Sequence, residues 1–172
     1  MFLLDEIDDF ISSELDYSQK PVRSVLKGDI KIDESKEAAQ KEATRKYDKL
    51  LDLIRSELKE HVKDVRFSGR LTDSLCCLVA GEEDMDPNME RILKALGQNV
   101  SSQKRVLEIN PSHPLLNSMQ RIFDREQSAS VLKDYIALIY DQALILEGSK
   151  PKDPALHARL MTRLMAEHAE KI

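Results

Sequence analysis

The fold is decided by residues 130–167, SVLKDYIALIYDQALILEGSKPKDPALHARLMTRLMAE, which predict two apolar helices separated by a turn at residues 148–151. In the first helix, apolar side chains fill about half of the circumference, whereas a helix with one buried face carries a stripe of roughly 100° or slightly more. The second helix repeats the pattern with Leu156, Leu160, Met161, Leu164 and Met165. Each helix is therefore predicted to pack against two neighbours.

Two arrangements would bury these wide apolar faces. They can complete the core of a single chain, which is the usual fate of extra apolar surface. They can also pair with a second copy in a four-helix bundle, a self-complementary way to form a dimer. Association costs about 4–15 kcal/mol and each buried Leu, Ile or Met returns roughly 1.5–3 kcal/mol, so about six to eight such side chains per partner are enough. The predicted dimer interface consists of Leu132, Tyr135, Ile136, Ile139, Ala143, Leu146, Leu156, Leu160, Met161 and Leu164.

The composition limits the class of protein. With 172 residues, the chain holds one ordinary domain or a small domain with an appendage. Charged residues make up 33% of the chain but nearly cancel at a net charge of −5, so neither nucleic acid nor an anionic membrane is predicted as a partner. No apolar run approaches the ~18 residues of a membrane span, and the acidic pair Asp5-Glu6 is unlike a signal peptide. We expect a cytoplasmic protein.

The middle of the chain alternates helices with short strands. A long helix is predicted from a cap at Asp33 or Ser35 to about His61, because its apolar positions follow one narrow helical stripe. Runs of β-branched and apolar residues predict strands at 64–68, 75–80 and 105–109. These elements indicate an α+β fold, with a small three-stranded sheet covered by helices and followed by the C-terminal hairpin.

The first residues form a separate piece. They predict a strand at 2–4, a helix at 6–15 and a strand at 22–26, which together are too few to bury a core. The polar segment 28–34 is the predicted boundary to the main domain.

A short helix between the second and third strands is sharply delimited. Asp86 suits the N-cap, Pro87 suits the first helical position, and Gly97 suits the C-terminal stop, so the helix is predicted over residues 88–96. Its apolar side is either an adaptable binding surface, because methionines lead it, or part of the core. The residues on this side are Met85, Met89, Ile92, Leu93 and Leu96.

No catalytic or metal-binding pattern is recognisable in the sequence. Phosphate-binding loops, nucleophile elbows and zinc-protease motifs are absent, and the four histidines lack metal-ligand spacing. Cys76 and Cys77 are adjacent within an apolar run, which disfavours a disulfide between them and predicts reduced strand residues. The acidic run 82–86 lacks the glycine and the final glutamate of a calcium loop, and it is interpreted as a solvated loop.

Three separated motifs carry a family resemblance. They are VKDVRFSGRLTDSLCCLVAGEEDMDPNMERILKALGQ at 62–98, LEINPSHPLL at 107–116 and YDQALILEGSKPKDP at 140–154. Together they resemble the C-terminal domain of the heat-shock protein 90 chaperones, and the bacterial members most closely. FLLDEIDDF at 2–10 and VRSVLKGD at 22–29 are less specifically similar to the end of the middle domain of that family.

The resemblance implies a homodimerisation and client-contact module of an ATP-dependent chaperone. Residues 1–30 would be the end of the middle domain plus a linker, and residues 31–172 the C-terminal dimerisation domain. The last two helices would form the four-helix bundle of a homodimer, and the helix led by Met89 would contact unfolded or partly folded clients. ATP and Mg²⁺ would bind elsewhere in the full-length protein, so this chain would hold no cofactor and would not be an enzyme.

One departure and one alternative accompany this interpretation. The tail AEHAEKI, residues 166–172, lacks the acidic ending that binds tetratricopeptide co-chaperones, so these are not expected as partners. The alternative function is a free-standing helical adaptor that binds a partner helix in a methionine-led groove. The first 26 residues disfavour it, because an adaptor has no reason to begin with part of another domain.

Overall fold

The computed structural model describes residues 16–17, 20–21, 34–81, 84, 90, 92–93, 96–98, 103–126 and 130–170. The chain divides into two compact units, one of Ile32–Leu78 with Lys104–Ile172 and one of Met1–Lys31 with Val79–Gln103. The strand, helix and strand predicted at 2–4, 6–15 and 22–26 lie outside the described residues. The domain boundary at residue 30 stays a prediction.

The unit that includes the start of the chain contains a small hairpin. Strands β1 (Asp16–Tyr17) and β2 (Lys20–Pro21) pair antiparallel, with Asp16 opposite Pro21 and Tyr17 opposite Lys20. The sequence patterns did not predict this hairpin, because two-residue strands are too short to display alternation.

The larger unit begins with the long helix α1, Glu34–Leu58, which confirms the predicted helix and ends slightly earlier than expected. Tyr47 departs from helical geometry at φ −113° and ψ 16°, so the helix is kinked there. The Tyr47 hydroxyl donates to Asn117 Oδ1 at 2.5 Å, and its ring lies 5.8 Å from that of Phe67. From residue 40 onward, the buried side chains of α1 follow the predicted stripe: Ala43, Tyr47, Leu50, Leu51, Ile54 and Leu58.

The three predicted strands form one sheet. They are β3 (Asp64–Phe67), β4 (Cys76–Val79) and β5 (Val106–Ile109), in the spatial order β3-β5-β4. Strands β3 and β5 are parallel. Alternate residues of these two strands lie in the core, as side chains that point to opposite faces require: Val65, Phe67, Leu107 and Ile109.

Three further helices complete the larger unit. Helix α2 (Pro114–Arg125) is capped by His113, whose Nδ1 accepts from Leu115 N at 3.2 Å. Helices α3 (Ser130–Leu146) and α4 (Pro154–Ala169) form the predicted C-terminal hairpin. The core lies between the sheet and helices α1, α2 and α3. The fold is therefore α+β with a three-stranded sheet, as predicted.

Within the described residues, no helix combines the length and apolarity needed to cross a membrane.

Candidate functional site

The turn of the C-terminal hairpin is built from glycine and backbone hydrogen bonds. Gly148 has φ +89°, a left-handed conformation that side chains with a Cβ rarely adopt. Gly148 N donates to Ile145 O at 3.0 Å and Ser149 N donates to Leu144 O at 2.9 Å. This pair of bonds is the Schellman arrangement that ends helices at glycine, and it ends α3 where the sequence predicts a break.

Helix α4 begins at a strong capping site. The Asp153 carboxylate accepts from Ala155 N at 3.0 Å and from Leu156 N at 2.9 Å, and Pro154 occupies the first turn. Asp153 therefore stabilises the start of α4 in two ways: it accepts the capping hydrogen bonds, and it places a negative charge at the positive end of the helix dipole.

Polar contacts hold α4 against α3. Asp141, which is buried on α3, accepts from Lys152 N at 3.3 Å and lies 3.1 Å from His157 Nδ1 of α4. Nearer the start of α3, Asp134 Oδ2 accepts from Arg163 Nη2 at 2.5 Å. The contact positions rise along α4 as they fall along α3, so the two helices are antiparallel.

The hairpin also contacts His61, in the turn that follows α1. The Tyr140 ring stacks on the ring of His61 at 5.6 Å between centroids, and Lys152 Nζ lies 2.5 Å from His61 Nδ1. Burial raises the pKa of Tyr140, and the carboxylates of Glu147 and Asp141 raise it further. The phenol therefore stays neutral, and its ring acts as a packing surface.

The structure separates the ten predicted interface residues into three groups. Leu132, Ile136, Ile139, Ala143 and Leu160 are buried within the chain itself. Tyr135, Leu156 and Leu164 are half-buried, and only Leu146 and Met161 are exposed. The interface assignment stays a prediction. The half-buried and exposed side chains are the ones that are accessible to a second molecule. The buried five instead hold the hairpin in place from inside.

Four large apolar side chains of the hairpin are exposed, and we call them the hairpin face. They are Ile145, Leu146, Met161 and Met165, with exposed fractions of 48%, 59%, 42% and 67%. The predicted site missed Ile145 and Met165. The spacing of Met165 four residues after Met161 was a usable signal, because it places both thioethers on one side of α4.

The predicted client-contact residues are only partly described. Met85 and Met89 lie outside the described residues. Ile92 and Leu93 are helical and half-buried, whereas Leu96 is 71% exposed. Gly97 has φ +76°, and Gln98 N donates to Leu93 O at 3.0 Å, so the helix stops where the sequence predicts.

A buried carboxylate organises the face of the sheet that points away from the core. Glu108 Oε1 accepts from Arg66 Nη2 at 2.8 Å, and Glu108 Oε2 accepts from Arg70 Nε and from Ser68 Oγ, both at 2.9 Å. Arg70 Nη2 also lies 3.6 Å from Cys77 Sγ. Burial raises the pKa of the Cys77 thiol although Arg70 opposes the shift, so the thiol stays protonated. This arrangement is typical of a structural ion-pair cluster and not of an activated nucleophile.

Comparison with known proteins adds the family. A family model described as "Hsp90 protein" matches residues 1–171. The chain belongs to the Hsp90 family. The Hsp90 relatives include the "Chaperone protein HtpG" of Geobacter sulfurreducens, 43% identical over 171 residues, which are 96% of this chain and 26% of that protein. The HtpG of Geobacter metallireducens is also 43% identical over the same shares.

A third HtpG relative, from Alkalilimnicola ehrlichii, is 37% identical over 98% of this chain and 26% of its own length. The chain thus spans about a quarter of the length of the HtpG chaperones that it matches. The family model covers every residue that the structure describes, including the hairpin face and Leu96.

Proposed function

We propose that this chain is the C-terminal homodimerisation and client-contact part of a cytoplasmic, HtpG-type chaperone. The hairpin of α3 and α4 pairs with the same hairpin of a second copy to form a four-helix bundle. Unfolded or partly folded proteins contact a separate apolar surface that includes Leu96. The chain itself is not an enzyme and holds no cofactor, since ATP and Mg²⁺ bind in other domains of the full-length chaperone.

The burial of α4 carries the dimerisation proposal. This helix has sixteen residues, and Leu160 is the only one of them that is buried. Among the described elements, α3 is the one against which α4 packs extensively. Helix α4 therefore packs against one neighbour and exposes Met161 and Met165 to solvent. Part of its apolar surface is uncovered in the single chain. In the proposed dimer, the hairpin of the second copy covers this surface with its own identical surface, as two-fold symmetry requires.

The number of apolar groups fits a stable but reversible dimer. The hairpin face supplies four exposed side chains per copy, and the half-buried Tyr135, Leu156 and Leu164 add to it. Each fully buried side chain of this type contributes about 1.5–3 kcal/mol, against an association cost of roughly 4–15 kcal/mol. Several of these side chains are already partly covered, so we expect a dimer that dissociates on dilution.

Dimerisation of this part explains how it serves an ATP-driven chaperone. A joint between the two C-terminal parts keeps two long arms at high effective concentration, so that closure of the distant ATP-binding domains becomes an intramolecular event. Clients then meet two copies of the exposed Leu96 surface at once. Tetratricopeptide co-chaperones, nucleic acid and membranes are not part of the proposal.

The experiment is a measurement of solution mass by sedimentation from micromolar to nanomolar concentration. The parent chain is expected to be a dimer that dissociates within this range. The double variant Leu146→Glu/Met165→Glu places charges in the hairpin face and is expected to be monomeric. Because both side chains are exposed, the variant should keep the circular dichroism and melting temperature of the dilute parent chain.

Leu96→Glu is the matched control, since it also replaces an exposed apolar residue with a charged one. It is expected to remain a dimer and to bind a reduced, carboxymethylated model protein more weakly than the parent chain does. A parent chain that is monomeric at every concentration, or a charged hairpin variant that still dimerises, contradicts the proposed bundle. In that case the helical adaptor becomes the better interpretation.

A further inference from the structure

The hairpin face contains an unusual pair of side chains. Met161 and Met165 are one helical turn apart on α4, and their exposed fractions are 42% and 67%. Met119, in contrast, is completely buried between α2 and the rest of the core. Within the described residues the chain therefore holds two accessible thioethers and one protected thioether.

A thioether reacts with a hydroperoxide without first losing a proton. With hydrogen peroxide, the sulfur lone pair forms a bond to one oxygen and the O–O bond breaks, and the departing hydroxide takes up the proton that the sulfur-bound oxygen loses, which gives water. Sulfur is oxidised by two electrons and the peroxide is reduced by two. The product is methionine sulfoxide, a polar group in place of an apolar one. Access to the sulfur atom is the main structural condition for this step.

The two cysteines compete poorly for the same oxidant. Peroxide reacts with the thiolate, and burial, together with the neighbouring Cys77, raises the pKa of Cys76 from 9.0 to about 12. Burial raises the pKa of Cys77 as well. Near neutral pH both thiols are protonated, whereas Met161 and Met165 are reactive at any pH.

We propose that Met161 and Met165 form an oxidation site through which hydroperoxides control assembly of the chain. The site is accessible in the dissociated chain and covered in the dimer, so oxidation traps the monomer. This inference rests on the proposed function, because it requires the hairpin face to be the dimer interface.

Sulfoxides at Met161 and Met165 oppose assembly because these side chains lie in the proposed dimer interface. A buried polar group without a hydrogen-bond partner is unfavourable, and in the proposed dimer each sulfoxide would be buried against the apolar side chains of the second copy's identical hairpin face. We expect the dissociation constant of the dimer to rise about tenfold or more for each sulfoxide. The core is untouched, since Met119 stays reduced.

The test treats the chain with hydrogen peroxide at two protein concentrations, one above and one below its dissociation constant. Peptide mass spectrometry follows the oxidation of each methionine with time. Met161 and Met165 are expected to oxidise faster in the dilute sample, whereas Met119 is expected to be slow at both concentrations. Equal rates at both concentrations, in a chain that dilution is shown to dissociate, contradict the proposal.

Sedimentation of the oxidised chain gives the second measurement. The dissociation constant is expected to rise after oxidation and to return after treatment with a peptide methionine sulfoxide reductase and dithiothreitol. Recovery with dithiothreitol alone would assign the effect to thiol oxidation and overturn the proposal.

Two leucine variants separate the methionines. For each variant, its own unoxidised dissociation constant serves as the reference. Peroxide is expected to leave that constant unchanged in Met161→Leu/Met165→Leu, but to raise it in Met119→Leu as in the parent chain. A rise in the first variant contradicts the inference. A parent chain that never dimerises contradicts the proposed function instead, so the two failures are distinguishable.

Discussion

Helices α3 and α4 both have wide apolar arcs but opposite environments. Both carry apolar arcs too wide for one packed face, and both are uniform helices of nearly equal length. Yet α3 is the centre of the larger unit, with buried residues on several sides, whereas α4 buries only Leu160. The difference teaches that apolar width alone does not predict how many neighbours a helix has within its own chain. Helix α3 packs against α1, α2 and α4, whereas α3 is the one described element against which α4 packs extensively.

The largest expected effect tests the buried side of this comparison. Ile136→Ala removes a side chain of α3 that is buried in the core, so it should lower the free energy of unfolding by about 2–5 kcal/mol. Met165→Ala on α4 should change it by no more than about 0.5 kcal/mol, because that side chain is exposed in the single chain. Urea unfolding, at a concentration where the parent chain is monomeric, measures both.

The concentration matters in that experiment, since the proposed dimerisation would itself stabilise the folded chain. If Met165→Ala destabilises the monomer as much as Ile136→Ala does, α4 has a second neighbour within its own chain and the contrast between the two helices disappears.

Alkaline pH tests a contact on the core side of α3. Cys76 Sγ donates to Ile139 O of α3 at 3.3 Å, and burial raises the pKa of this thiol from 9.0 to about 12. The unfolded chain releases the proton from about pH 9, whereas the folded chain retains it. Stability is therefore complete below pH 9 and falls as the pH rises, by up to about 1.4 kcal/mol per pH unit.

Cys76→Ala removes this contribution and should give a shallower loss of stability between pH 9 and pH 10.5 by urea unfolding. The comparison is between slopes, since the alanine variant also leaves a small cavity. The pKa of Tyr140 is raised as well, so Tyr140 also lowers stability as the pH rises. It does so in the parent chain and in the alanine variant alike. Identical slopes would mean that the Cys76 thiol is not protected by its contact with α3.

The polar tie between the helices has a smaller and more local effect. Asp141→Asn removes the carboxylate charge and leaves one oxygen where two now serve Lys152 N and His157 Nδ1, at a cost of about 1–1.5 kcal/mol. Amide hydrogen exchange should become faster in α4 and remain unchanged in α3, because α3 keeps its apolar packing. Asp134→Asn is the control, since the ion pair with Arg163 is exposed to solvent and screened. Equal acceleration in both helices would show that α3 and α4 open as one unit.

Much of the fold was predictable because its signals are local. Gly148, with its positive φ, ends α3, and Asp153 with Pro154 begins α4. The alternation of residues in β3 and β5 determines which face of the sheet lies in the core. The kink at Tyr47 was not predictable, since its hydroxyl partner Asn117 is distant in sequence.

The burial of two polar residues was equally hard to predict. Glu108 and Asp141 look like surface positions in the sequence, and their burial depends on partners contributed by other segments: Arg66, Ser68, Arg70, Lys152 and His157.

The candidate site shows the same limit. Periodicity identified Leu146 and Met161 together with Ile136 and Ile139, because all are apolar and helical. It could not distinguish the exposed pair from the buried pair, which requires knowing where the sheet and α1 lie. Charged substitutions at Ile139 or Leu160 would consequently test the core of the chain and not its association.

The smallest expected effect concerns the surface charges that flank α3. Lys133 Nζ lies 3.0 Å from Glu57 Oε1 of α1, and the lysine side chain is mostly exposed. Since solvent screens such pairs, Lys133→Met should change the free energy of unfolding by less than about 0.5 kcal/mol, and added salt should not alter the difference strongly. Urea unfolding at low and high ionic strength measures it. A loss above about 1 kcal/mol would mean that charge, and not apolar packing, docks α3 onto the core. In that case the difference in burial between α3 and α4 would need another cause.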